Sequence, residues 1–255
     1  MNRAAHAALR AWLPVTLLLA WEGGARVGLL DPLFFPPPTE VLRAAVRLTT
    51  TGELVAHLAV TLMRLGVAFA AAAAGGLACG VLMGLSHRIR ASVEPLVSAL
   101  YTTPKIALLP MLFVLVGVGE PARLAAVASG GFIIMAQHAL DAIAAINRSF
   151  VEVAINYGAN RWQLVRRVYL PSALPQIFTG LRLAFGRTLV MVITVEVVGA
   201  RNGLGSMIWI AGETFAMEKL YVGILIAALL GGLSHAALRR LEAILVPWKA
   251  PQAVR

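Results

Sequence analysis

The chain has 255 residues, of which 59% are hydrophobic and only 13% are charged. Soluble domains carry about a quarter charged residues, so this composition excludes an ordinary soluble protein and predicts an all-α, multi-pass membrane protein. The net charge of +10 does not indicate nucleic-acid binding, because the arginines cluster in short loops between apolar segments, where they orient a membrane protein. The single cysteine, Cys79, can form neither an intramolecular disulfide nor a cysteine-based metal site.

Six segments are apolar and close to the roughly 20 residues that a helix needs to cross the hydrocarbon core. They are residues 11–30, 61–85, 96–117, 121–146, 175–199 and 220–246. The first follows two arginines and resembles a secretory signal, but its apolar character resumes at Val27–Leu30, which favours an uncleaved span. We therefore expect residues 1–255 to form a single transmembrane domain.

The lysines and arginines outside these spans predict the orientation. If the N-terminus is cytoplasmic, ten of them lie in cytoplasmic segments, or twelve when Arg239 and Arg240 near the cytoplasmic end of the sixth span are included, and four lie outside, namely Arg43, Arg47, Arg201 and Lys219. This bias predicts that both termini are cytoplasmic. It also places the polar segment 147–174, between the fourth and fifth spans, in the cytoplasm.

Two local patterns concern packing. Residues Phe34–Thr39 are rich in proline and precede a short amphipathic helix on the outer side, which Thr39 can cap. In the second span, small residues recur every four positions and predict a close helix–helix contact, either within one subunit or between subunits. They are Ala72, Gly76, Gly80 and Gly84.

Signatures of enzymes are absent from the sequence. No Gly-Lys dipeptide occurs, so the chain has no Walker A phosphate loop, and neither His-Glu-x-x-His nor Gly-x-Ser-x-Gly is present. An intramembrane enzyme would need His, Asp or Cys clustered at bilayer depth, which the sequence does not offer. We therefore expect a chain without a catalytic site, a metal or a cofactor.

The segment 147–174 carries the most specific pattern of the chain. Its residue types predict a first helix over residues 152–157 and a second short helix after it, joined by a turn at Gly158, where glycine permits a positive φ angle. Asn160 can cap the second helix, residues 161–169, and Pro171 is expected to end it. Exposed aromatic side chains beside arginines suit a docking surface, although an ordinary amphipathic connector would look similar.

The spacing within this segment resembles the EAA loop of ATP-binding-cassette (ABC) importer permeases. It begins Glu-x-Ala at Glu152, places Gly158 six residues later, and places Leu170-Pro171 at eighteen and nineteen residues. In that family the loop is cytoplasmic and docks a short helix into the ATPase subunit. The resemblance implies coupling roles for Glu152, Ala154, Gly158, Arg161, Trp162, Leu170 and Pro171.

Further motifs resemble the permeases for nitrate, sulfonates and taurine. They are Trp21-Glu22, Pro36-Pro-Pro-Thr-Glu-Val41, Thr61-x-x-Arg64, Pro104–Pro110, and Glu196 followed by Gly203-Leu-Gly205. The chain departs from the pattern at Val153, at Val195 and at Gln137-His-Ala-Leu140, which replaces an expected Asn-Thr-x-x-Gly. The last change lies in the fourth span, so the substrate of a named family member cannot be assigned to this chain by resemblance alone.

The resemblance implies a six-span core of the type I ABC importer permease class in the plasma (inner) membrane. It further implies a homodimer, an ABC ATPase dimer on the cytoplasmic side and a solute-binding protein outside. A small anion resembling nitrate, a sulfonate or taurine is the favoured solute. A pyrimidine-type vitamin precursor is the alternative solute, and an ion-coupled secondary carrier, which usually shows inverted repeats, is the alternative class.

Charged residues inside spans are costly and indicate function. Lys105 lies between Pro104 and Pro110, and we expect it to line the solute path and favour anions. A lysine that snorkels to the membrane surface or pairs with a carboxylate elsewhere is the alternative. The predicted path residues are Thr103, Lys105, His138 and Glu196. A structural ion pair with Arg64 or Arg201 is an alternative role for Glu196, whereas Arg182 and Arg187 are expected to face segment 147–174 or lipid headgroups.

Overall fold

The computed structural model describes residues 3–248, with side chains from residue 12 onward, and every element in that range is helical. The α-helices are α1 (Arg3–Arg26), α2 (Pro38–Thr50), α3 (Glu53–Leu85), α4 (His87–Thr102), α5 (Leu109–Val116), α6 (Glu120–Ala144), α7 (Arg148–Asn156), α8 (Arg161–Leu164), α9 (Leu170–Gly199), α10 (Leu204–Glu213) and α11 (Met217–Leu245). A 3-10 turn, Lys105–Leu108, precedes α5, and a π turn, Val165–Tyr169, joins α8 to α9.

Three helices, α3, α6 and α11, are each long and apolar enough to cross a membrane. Two bent pairs raise this number to five if each is one span: α4 with residues 105–116, bent by 101°, and residues 161–199 with α10, bent by 48°. The first bend has a local cause, because Thr103 precedes Pro104 and is extended, with ψ 132°. The number of six spans stays a prediction.

The first of two compact units contains the described residues up to Thr61 together with Glu196–Leu229. Here α2 begins after Pro37 and buries Val41, Ala44 and Leu48. The prediction that Thr39 caps α2 is wrong, because Thr39 lies inside the first turn of the helix. Its N–H and its hydroxyl instead donate to the carboxylate of Glu22 on α1, at 3.0 and 2.9 Å, so a neighbouring helix supplies the acceptor for the free amide.

The second unit contains Leu62–Val195 and the described residues from Leu230 onward. Its core lies where α3 packs on α6. A Cβ on Gly80 would lie 2.2 Å from the Ala136 carbonyl oxygen, and one on Gly84 would lie 2.6 Å from Ile143. The small-residue stripe therefore serves packing within the subunit, the first of the two predicted uses.

Gly80→Ala is expected to lower the free energy of unfolding by about 1–3 kcal/mol, the usual cost of overpacking. Gly75→Ala is the matched control, because its Cβ would lie at an ordinary 3.4 Å from the Phe132 ring. Thermal unfolding of the two purified proteins in detergent compares them. Equal melting temperatures for the two variants would contradict the close α3–α6 contact.

Candidate coupling surface and cationic cavity

Segment 147–174 folds around a glycine turn, as predicted. Gly158 has φ +79°, a conformation that other residues rarely adopt. Asn160 then caps α8 in a reciprocal arrangement with Gln163: the Gln163 N–H donates to Asn160 Oδ1 and the Asn160 N–H donates to Gln163 Oε1, each at 2.9 Å. The predicted turn and cap are both confirmed.

Two boundaries of this segment differ from the prediction. The first helix begins at Arg148 rather than Glu152, because Asn147 Oδ1 accepts the Ser149 N–H at 3.0 Å and provides an earlier cap. Pro171 does not end the second helix, since helical structure continues into α9. The π turn just before Pro171 is the kind of distortion through which a helix accommodates a missing backbone donor.

The segment exposes large apolar side chains. Tyr157 is 90% exposed and Trp162 is 69% exposed, and Phe150 and Val153 are also exposed. Of the predicted coupling residues, Ala154 and Pro171 are half-buried and the others are exposed on α7, α8, the turn between them and the start of α9; these are Glu152, Gly158, Arg161, Trp162 and Leu170. Aromatic and arginine side chains that lack an internal packing role are typical of a protein-docking surface.

Glu152 also borders a cavity of about 430 Å³ in the second unit, together with Arg90 and Arg148. One wall of this cavity is the end of α6, at Ile143 and Ala144. Segment 147–174 therefore borders the end of α6 across a polar cavity lined by arginines.

A larger cavity of about 630 Å³ lies in the second unit and is rich in basic groups. Its lining residues are Tyr101, Lys105, Gly130, Ile133, Ile134, His138, Arg182, Leu183, Gly186, Arg187, Val190 and His235. We call it the cationic cavity. Lys105 and His138 were predicted path residues and meet here, whereas Thr103 is not among the lining residues and donates its hydroxyl to the Ala99 carbonyl at 2.9 Å.

The lysine in this cavity has a polar partner but no acidic one. Lys105 Nζ donates to the Tyr101 carbonyl at 2.5 Å and lies 5.6 Å from the centre of the Tyr101 ring. Neither Lys105 nor Arg187 forms an ion pair with a carboxylate in the part of the chain that the structure describes. Arg182, in contrast, pairs with Glu242 on α11.

Sequence reasoning misplaced two of these basic residues. Arg182 and Arg187 were expected to face segment 147–174 or lipid headgroups, and instead line the cationic cavity with Lys105. The spacing of Leu183, Arg187 and Val190 places these three residues on one face of α9, but it does not indicate which helix that face meets. His235 was also missed, because a single histidine within the predicted span 220–246 carries no pattern that indicates a cavity.

Glu196 lies in the first unit and is fully buried. Its carboxylate accepts the Thr61 hydroxyl, at 2.9 Å to one oxygen, and the Gly205 N–H at 2.9 Å. The Leu204 N–H donates to Thr61 Oγ1 at 2.8 Å. Glu196 and Thr61 thus satisfy the free amides at the start of α10, where a negative charge is also favourable.

Gly203 allows this arrangement. It has φ +108°, and a Cβ there would lie 2.2 Å from the Glu196 carboxylate. The predicted Glu196…Gly203-Leu-Gly205 motif is therefore one structural unit that fixes the turn before α10. The predicted ion pair of Glu196 with Arg64 or Arg201 stays a prediction.

Comparison with known proteins identifies the family. The family model for the binding-protein-dependent transport system inner membrane component matches residues 76–249. The taurine transport system permease protein TauC of Escherichia coli is 33% identical over 91% of this chain and 86% of its own length. The putative aliphatic sulfonates transport permease protein SsuC of Bacillus subtilis is 29% identical over 93% and 86%.

A third relative is the formylaminopyrimidine transport permease protein ThiX of Halalkalibacterium halodurans, which is 30% identical over 92% of this chain and 94% of its own length. Among solved structures, an inward-facing MetNI methionine ABC transporter superposes with a TM-score of 0.65 at 24% identity, over 72% of this chain and 92% of that one. This similarity supports the predicted type I importer permease fold. The chain therefore belongs to the family of binding-protein-dependent transport system inner membrane components, the non-enzymatic permease subunits of ABC importers.

Proposed function

We propose that this permease passes a small organic anion of the sulfonate class across the membrane. The observation that carries the proposal is the cationic cavity, in which Lys105 and Arg187 have no carboxylate partner among the described residues. An unpaired charge at bilayer depth is costly unless water or a counter-ion reaches it. A transported anion would supply that counter-ion, and two relatives are named for taurine and sulfonates.

An uptake assay tests this substrate class. Cells that lack other sulfonate uptake would express the permease with its ATPase and binding protein and receive labelled propane-1-sulfonate. We expect uptake of the labelled compound, and we expect unlabelled sulfonates, but not formylaminopyrimidine, to reduce it by competition. Import of the pyrimidine without import of any sulfonate would favour the vitamin-precursor alternative, which the similarity to ThiX supports.

Coupling to ATP hydrolysis is proposed to run through segment 147–174. Its exposed Tyr157 and Trp162 would dock into a cytoplasmic ATPase subunit. Movement of the ATPases would then shift α7 and α8 and alternate access to the solute path. Because the chain offers one set of spans, we propose a homodimer, with two ATPases inside and a solute-binding protein outside.

This arrangement requires that segment 147–174 is cytoplasmic. Labelling of a cysteine at Tyr157, in a Cys79→Ala background, tests the orientation, because Tyr157 is almost fully exposed. A maleimide that does not cross the inner membrane should label this cysteine in inverted vesicles. It should not label it in cells whose outer membrane has been made permeable and whose inner membrane is intact. Arg43→Cys is the control and should show the opposite pattern; labelling of Tyr157→Cys from outside would contradict cytoplasmic termini.

A further inference from the structure

We infer that the cationic cavity binds sulfonates without an ammonium group in preference to zwitterionic aminosulfonates such as taurine. The inference rests on the proposed function and sharpens its substrate class. It is carried by the charges that line the cavity and by the apolar part of its wall.

The charge of the lining is one-sided. Three of the lining residues are Lys or Arg, two are His, and none is Asp or Glu. Glu242 pairs with Arg182, which leaves Lys105 and Arg187 to attract a ligand. Asp141 lies one helical turn beyond His138 on α6 but is not among the lining residues.

The sulfonate group has suitable partners. The compact ammonium of Lys105 and the planar guanidinium of Arg187 can both donate to sulfonate oxygens.

The remaining wall suits a hydrocarbon chain. Ile133, Ile134, Leu183 and Val190 supply apolar surface. No carboxylate lines the cavity to pair with the ammonium group of taurine, whereas Lys105 and Arg187, which have no carboxylate partner among the described residues, would repel it. Two positive charges repel strongly in a site of low dielectric. The terminal methyl group of an alkyl sulfonate in the same position avoids this repulsion and can pack on the aliphatic wall.

The test compares taurine with propane-1-sulfonate, in which a methyl group replaces the ammonium group. The full-length permease–ATPase complex in lipid nanodiscs would be titrated with each compound by isothermal calorimetry, without binding protein. We expect propane-1-sulfonate to bind at least tenfold more tightly. Lys105→Met and Arg187→Met should each weaken its binding at least tenfold, Lys105→Arg should retain part of it, and Arg88→Met, outside the cavity, should bind like the wild type.

Three results would overturn the inference. They are taurine binding as tightly as propane-1-sulfonate or more tightly, no binding of either compound, and wild-type affinity for propane-1-sulfonate in both Lys105→Met and Arg187→Met. Retained ATPase assembly shows that a weak variant is still folded. If the intact importer takes up sulfonates while the permease shows no such preference, the proposed function stands and only this inference fails. If the importer takes up no sulfonate, the proposed function fails as well.

Discussion

Replacing Gly158 with glutamate is expected to abolish uptake while leaving the protein in the membrane. The backbone at Gly158 has φ +79°, and nothing lies within 4 Å of the position that a Cβ would occupy. A side chain therefore fits within the isolated chain, at a conformational cost of about 1–2 kcal/mol. Its extra atoms and negative charge would instead obstruct close approach of the ATPase.

Co-purification of the ATPase and uptake of labelled solute measure this effect. Gly158→Asn separates the two roles of the glycine, because asparagine tolerates a positive φ angle but still adds bulk. We expect Gly158→Asn to fold like the wild type and to bind the ATPase more weakly. Normal uptake by Gly158→Glu would show that this turn is not a docking site.

Replacing Glu196 with alanine is expected to cause the largest loss of stability among single substitutions in the first unit. The change leaves the buried Thr61 hydroxyl and the Gly205 N–H without their acceptor. Each unsatisfied buried group costs about 1–3 kcal/mol. The turn around Gly203 should loosen, and uptake should fall at least tenfold.

Thermal unfolding and uptake together check this prediction. Glu196→Gln keeps an oxygen acceptor and should lose less stability than Glu196→Ala. Glu213→Ala is the matched control, because Glu213 is exposed at the end of α10. A normal melting temperature for Glu196→Ala combined with lost uptake would assign Glu196 to the solute path instead of to structure.

The local features of segment 147–174 were predictable because short-range chemistry determines them. Gly158 indicates a turn and Asn160 indicates a helix cap, whatever the rest of the chain does, whereas the reciprocal bond with Gln163 was not predicted. The predicted helix end at Pro171 was wrong because proline is tolerated in the first turn of a helix. The π turn that precedes Pro171 leaves no signal in the sequence. The start of α7 was missed because Asn147, which caps the helix, lies five residues before the Glu-x-Ala pattern that suggested a start at Glu152.

The cationic cavity required the tertiary structure. Lys105 was recognised as a charge in an apolar segment, but its neighbours Arg187 and His235 come from helices far away in sequence. No local pattern determines which helix faces another.

The most direct measurement is uptake into liposomes that contain this permease with its ATPase, supplied with binding protein and labelled propane-1-sulfonate outside. With ATP inside, the account predicts accumulation against the concentration gradient. Accumulation should stop when a non-hydrolysable ATP analogue replaces ATP, and it should persist when ionophores dissipate proton and sodium gradients. Accumulation without ATP that follows an ion gradient would contradict the account and indicate a secondary carrier.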